Sequence, residues 1–146
     1  MRGLRSRGLS PVPFARQNEP VKKRNPAAIH PPIGAYSHQV EVPPGARLLA
    51  IAGQVGRTVE GDVPDDAIEQ VEVALDNVRR NLEAAAMSVA DVVKLNWYLV
   101  GQIDMARRRE VLLAWLDGHE PASTLVYVAA LASPEYRVEV EAWAAH

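Results

Sequence analysis

The residues best suited to chemistry lie near the C-terminal end of the chain. Arg137-Val138-Glu139-Val140-Glu141-Ala142-Trp143 alternates strictly, with Val138, Val140 and Ala142 on one side and Arg137, Glu139 and Glu141 on the other. This is the pattern of a half-covered strand. A glutamate on the uncovered side of such a strand can place and activate a water as a general base. The same three charged residues also suit a cross-strand or intersubunit salt bridge, and residue types alone leave both readings open. Tyr36 fits either a cleft wall or a core aromatic with a satisfied hydroxyl. Ser123 has no nearby histidine in a nucleophile pattern. Arg107, Arg108 and Arg109 crowd the first turn of a predicted helix. Cations there oppose the helix dipole, so at least one is expected to have a partner elsewhere; the competing reading is a solvated basic face. His119 reads as a loop residue. His30 and His38 lack metal-ligand spacing with any partner, so no metal is expected. No phosphate loop, dinucleotide fingerprint or long aromatic-basic surface is present, so no cofactor is expected.

The elements that must position these residues follow from periodicity. Asn25 to Gly34 is a proline-rich, extended lead-in, since each X-Pro pair disfavours helix. Tyr36 to Val42 and Leu48 to Val55 read as strands joined into a hairpin by a turn at Pro43-Pro44-Gly45. Asp66 and Glu69 then open a helix whose stripe is Ile68, Val71, Leu75, Val78 and Leu82. Val92 to Val100 alternates as a strand. Asp104 caps a second helix with Val111, Leu112, Trp115 and Leu116 inside, and Gly118 ends it. Strands at 123–130 and 137–143 close the chain. The predicted class is α+β, in the order β-β-α-β-α-β-β, a mixed sheet with two helices on one face. Residues 48–55 and 123–130 are apolar or small on both faces. Two helices cover one face only, so a second subunit is expected against the other, with ligand pockets at the junctions.

Composition bounds the possibilities. The 146 residues suit one domain with a real core. Cysteine is absent, which excludes disulfides and thiolate chemistry and fits a reducing, cytoplasmic setting. No apolar run approaches the ~20 residues of a membrane span. Residues 1–24 hold seven basic residues and one acid, whereas the rest carries nine basic and seventeen acidic residues, a formal −8. The first 24 residues are therefore expected to be a flexible basic arm on a single acidic domain, 25–146. The acidic body argues against nucleic acid as a partner, because phosphate contacts need cations.

Several short motifs, in this order and spacing, resemble the Rid (RidA/YjgF, endoribonuclease L-PSP-like) family. They are Asn25-Pro26, Pro32-Ile33-Gly34-Ala35-Tyr36-Ser37, Ala52-Gly53-Gln54, Gln70 with Leu75-Asp76-Asn77-Val78, Ala90-Asp91-Val92-Val93-Lys94, Pro121-Ala122 and Val138-Glu139-Val140-Glu141-Ala142. The resemblance implies a chorismate-mutase-like homotrimer with a small-molecule cleft at each subunit interface. In deaminating members these clefts hydrolyse enamines and imines, with an arginine clamping the substrate carboxylate and a glutamate activating water. Glu139 matches that glutamate, and Tyr36 and Gly53 are kept. The arginine position is Ser123 here, a serine at the cleft mouth is Ala52, a frequent cysteine is Leu125, and a ligand-binding asparagine is Arg109. The resemblance thus implies a family scaffold without the clamp: a small-molecule-binding trimer that is not a standard 2-imino acid deaminase, with Arg109 the candidate for a relocated cation. Two alternatives remain: a hydrolase of the same type acting on another substrate, and an RNA-acting protein, as some relatives have been described.

Overall fold

A computed structural model describes residues 20–146. The expected class holds, with one strand added in front. Lys22–Arg24 (β1) and Gln39–Glu41 (β2) form a two-stranded antiparallel ribbon. Leu48–Val55 (β3), Val92–Leu99 (β4), Ala122–Tyr127 (β5) and Val138–Ala145 (β6) form a mixed sheet in the order β3-β6-β4-β5. Ala67–Ala84 (α1) and Met105–Leu116 (α2) pack on one side of it. β4 and β5 run parallel, as a crossover through α2 requires. The two C-terminal strands are not neighbours, because β4 lies between them.

The N-terminal part departs from the sequence reading in two ways. The expected 36–42 strand shrinks to Gln39–Glu41, and it pairs with β1 rather than forming a hairpin with β3. The preceding backbone is already engaged: the Ser37 amide donates to the Pro121 carbonyl (3.1 Å) and the His38 amide to Asn25 Oδ1 (2.9 Å). Beyond the turn, Arg47 exchanges both backbone hydrogen bonds with His146 (2.8 and 3.0 Å), which draws the chain into β6. The last residues of the basic stretch, Lys22 to Arg24, thereby belong to the ribbon, where Arg24 also pairs with Glu41. Residues 1–19 of the expected arm lie outside the described residues.

The core lies between α1, α2 and the inward rows of the sheet. Val71, Ala74, Val78, Leu82, Trp97, Leu99, Val138, Val140, Ala142 and Ala144 are all fully buried. Asp66 caps α1 by accepting from the Ile68 and Glu69 amides. This satisfies donors that a helix start otherwise leaves unpaired. The backbone hydrogen bonds at Ile68 and Glu69 and the Arg107 guanidinium hold its carboxyl below the usual range, against a smaller opposing effect of burial. Gln70, 1% exposed, is the main polar joint of the core. Its amide donates to the carbonyls of Pro64 (2.8 Å) and Glu135 (2.9 Å), and its Oε1 accepts from the Arg137 amide (2.8 Å). Gly56 passes so close that a Cβ there would stand 2.6 Å from the Gln70 Cα.

Replacing Gln70 with Leu would strand three part-buried backbone groups. The expected cost is about 2–4 kcal/mol, read by urea unfolding at fixed protomer concentration. A loss below about 0.5 kcal/mol would show that water replaces those bonds.

Candidate functional site

Strand register decides which candidate residues share a face. Along β6, Val138, Val140, Ala142 and Ala144 turn inward, so Glu139, Glu141 and Trp143 turn to the side that no helix covers. Val55, Glu139 and Tyr98 form one cross-strand row, extended to Val126 on β5. Glu141, Asn96 and Thr124 form the next row, and Trp143, Lys94 and Ala122 the one after. Leu48, Ala50 and Ala52 of β3 lie on this same open face, and all three are exposed. Trp143, Val126 and Leu48 are 40%, 41% and 57% exposed, a large apolar surface for one chain to leave bare.

A β-bulge shapes the centre of this face. Ile51 pairs with Ala142 and Gln54 with Val140, so Ala52 and Gly53 together oppose the single residue Glu141. Bulges redirect side chains and recur beside functional sites. The Glu139 side chain lies directly over Gly53: a Cβ there would stand 2.7 Å from the Glu139 Cδ and closer still to its Oε1. Glycine at 53 is therefore the condition for this glutamate conformation.

The expected salt bridge on this strand does not form within the chain. Arg137 turns away, donating to the carbonyls of Val100 (3.0 Å) and Gln102 (2.7 Å). Glu141 accepts from Tyr98 Oη (3.2 Å) and Asn96 Nδ2 (3.3 Å). Burial and then the Glu141 and Glu139 carboxylates push the Tyr98 hydroxyl up, so it stays protonated and donates. Glu139 has no side-chain hydrogen bond or ion pair among the described residues. Lys94 Nζ is engaged by Thr124 Oγ1 at 2.7 Å. Sequence reasoning did not single out Asn96 and Tyr98 as site residues. Their signal was the polar side of the alternating 92–100 stretch.

Other candidates stand apart from Glu139 within one chain. Ser123 pairs with Leu95, and Leu125 with Trp97, so both belong to the helix-side rows rather than to the Glu139 face. Tyr36 sits next to Ser37, whose amide meets Pro121 at the start of β5. The Tyr36 ring packs edge-on against His38, and its hydroxyl accepts from the Ile33 amide at 3.4 Å. Arg109 is exposed on α2, in the helix layer across the sheet from Glu139.

The three arginines at the start of α2 differ sharply. Arg107 reaches Asp66 at 3.4 Å. Arg108, between the two exposed ones, is 6% exposed and stacks on Trp97, its Cζ 4.0 Å from the ring centroid. The sequence carried a signal for this, because Arg108, Leu112 and Leu116 extend the inner stripe of α2 back by one turn.

The histidines are held structurally. His119 bonds the Val92 carbonyl through Nε2 (2.7 Å) and Lys23 Nζ through Nδ1 (2.9 Å), which ties the ribbon to the body. Burial, opposed in part by the Val92 bond, pushes its pKa down, and the Lys23 cation adds to this. His30 and His38 each meet a backbone carbonyl. Among the described residues no group of three or more His, Asp or Glu side chains could hold a metal ion. A groove of about 340 Å³ between the C-terminal ends of α1 and α2, lined by Arg79, Glu83, Trp115 and His119, contains none of the candidate residues apart from that histidine. No helix among the described residues is long and apolar enough to cross a membrane.

Comparison with known proteins agrees with this geometry. The family model described as endoribonuclease L-PSP matches residues 26–146. A RutC family protein of Pyrococcus horikoshii is 34% identical over 117 residues, covering 76% of this chain and 86% of its own. The 2-iminobutanoate/2-iminopropanoate deaminase of Escherichia coli is 32% identical over 114 residues, covering 75% and 86%. Among solved structures, the Rid family protein YyfB of Yersinia pestis superposes with a TM-score of 0.77 at 31% identity, over 88% of this chain and all of its own. Escherichia coli TdcF with bound serine does so with a TM-score of 0.64 at 28% identity, over 88% and 98%. With the family model matching residues 26–146, a relative 34% identical over most of both chains, and the same fold in the solved Rid structures, the chain belongs to the Rid, or endoribonuclease L-PSP, family.

Proposed function

We propose that the protein is a homotrimer whose intersubunit clefts bind a small molecule, and that Glu139 activates water there to hydrolyse an imine or enamine. The observation that carries this reading is the unpaired Glu139 carboxylate, seated over Gly53 on a face that no helix covers. A carboxylate free of partners, beside a protonated tyrosine and half-shielded from water, is suited to general-base work. The relatives named as deaminases support the reaction class. The distribution of candidate residues supports the interfacial cleft. Glu139 and Gly53 lie on one side of the sheet, Ser123 and Leu125 on the other at the β5 edge, so only a second copy can bring the two sets together.

The substrate in this reading is not a short 2-imino acid. Ser123 offers one neutral hydroxyl, worth about 1 kcal/mol net, where a guanidinium would give about 1.5–3 kcal/mol to each charge-assisted bond. The cytoplasmic setting and the dispensability of the basic arm belong to the same proposal.

Light scattering at micromolar concentration is expected to give three times the protomer mass, and a monomer would overturn the cleft. Removing residues 1–19 should leave that mass and the melting temperature unchanged. A truncated protein that dissociates would make the segment a structural clamp instead.

In a coupled imine-hydrolysis assay, the unmodified protein should turn over 2-iminobutanoate negligibly. On a substrate it does accept, Glu139→Gln should lower kcat by about 10²-fold or more with the oligomer intact. Gly53→Ala should do nearly the same by displacing the carboxylate. Full activity in Glu139→Gln would remove the glutamate from the chemistry.

A further inference from the structure

The buried side of the β5 edge holds a cation that has no partner among the described residues. Arg108 is 6% exposed, yet its guanidinium makes no hydrogen bond or ion pair among the described residues, and its Nε is wholly buried without an acceptor. It stacks on Trp97, whose Nε1 is a second buried donor without a partner. Burial pushes the guanidinium down to about 10, with only the nearby Tyr127 opposing, so it stays charged at neutral pH. No carboxylate among the described residues takes part. Asp104 is committed to capping α2, and Asp66 is committed to α1 and Arg107.

A buried charge without a counter-ion is costly, and a cation–π contact offsets only part of that cost. Arg108 Nε and the Trp97 indole lie too deep for an outside group to reach, but the terminal guanidinium nitrogens carry the residue's remaining exposure and also have no acceptor among the described residues, so they can meet one from outside the chain. Their position is informative. Trp97 shares its row with Leu125, one same-face step along β5 from Ser123, about 7 Å away. Beyond Leu125, Val126 and Tyr127 are exposed, so this edge is open to another molecule.

We propose that Arg108 is the specificity-determining residue of the intersubunit cleft and binds a carboxylate of the ligand. This rests on the cleft reading above. The guanidinium fork matches a carboxylate in two parallel hydrogen bonds. The cation comes from α2, displaced by one strand row from Ser123, so the carboxylate it holds is remote from the reacting carbon. The ligand class is a small imine or enamine with a distal carboxylate.

The test uses a matched pair of stable carbonyl probes, anionic 4-oxopentanoate and neutral pentan-2-one, titrated by ligand-detected NMR against the full-length assembled protein. The anion should bind at least tenfold more tightly than the ketone. Arg108→Gln should abolish that preference with the assembly mass unchanged. Arg108→Lys, which keeps the charge but not the fork, should retain part of it. The proposal is overturned by equal binding of the two probes, by a preference that survives Arg108→Gln, or by dissociation of Arg108→Gln and Arg108→Lys assemblies, which would assign the guanidinium to a neighbouring subunit's acid. Glu139→Gln separates the two readings. If it abolishes hydrolysis while Arg108→Gln leaves anion binding intact, only the carboxylate site fails. If anion binding needs Arg108 but no imine is hydrolysed, only the hydrolase reading fails.

Discussion

The structure depends on one asymmetry: both helices pack on the same side of a four-stranded sheet. That side becomes a dense apolar core fastened by Gln70. The other side keeps Glu139, Glu141, Asn96 and Tyr98 among exposed Leu48, Ala50, Val126 and Trp143. A chain that buries one face of a sheet and leaves apolar side chains on the other gains further by covering it with a copy of itself. Polar residues in the middle of such a face, already half-buried in the single chain, would be shielded further by that cover. Their electrostatics then strengthen as water is excluded.

Charge placement follows from the same asymmetry. The open face concentrates carboxylates, and its two nearby cations are engaged elsewhere, Lys94 by Thr124 and Arg137 by loop carbonyls. A buried cation with no partner among the described residues sits on the opposite side, over Trp97. Among the described residues, the unpaired carboxylate and the unpaired guanidinium thus lie on opposite sides of the sheet, where they do not neutralise each other. Separation of this kind leaves the carboxylate without the intrachain salt bridge that would hold it ionised and engaged.

Most of the fold was legible in the sequence because it is written in periodicity. The stripe from Ile68 to Leu82 gave α1, and the alternations at 92–100 and 137–143 gave β4 and β6. The pairing of the 36–42 segment was not legible, because it depends on where Ser37, His38 and Arg47 spend their backbone hydrogen bonds, and those partners are distant in sequence. The site was legible in part. The family motif found Glu139 and Gly53, and the structure gives the reason they occur together. Ser123 was expected to share an intersubunit cleft with Glu139, and within one chain register puts the two on opposite faces of the sheet. Arg109, the expected cation, is exposed on α2, whereas the inner stripe of that helix buries its neighbour Arg108. Three identical residues in a row carry no label for which one turns inward.

The contact between Glu139 and Gly53 ties two positions 86 apart in the chain into one inherited unit. A side chain at 53 is compatible only with a residue at 139 that has been shortened or turned away. A residue at 139 without a long carboxylate leaves the space over 53 open. Were the glutamate lost, the glycine would be released from its constraint, and the bulge would be free to carry a side chain of its own.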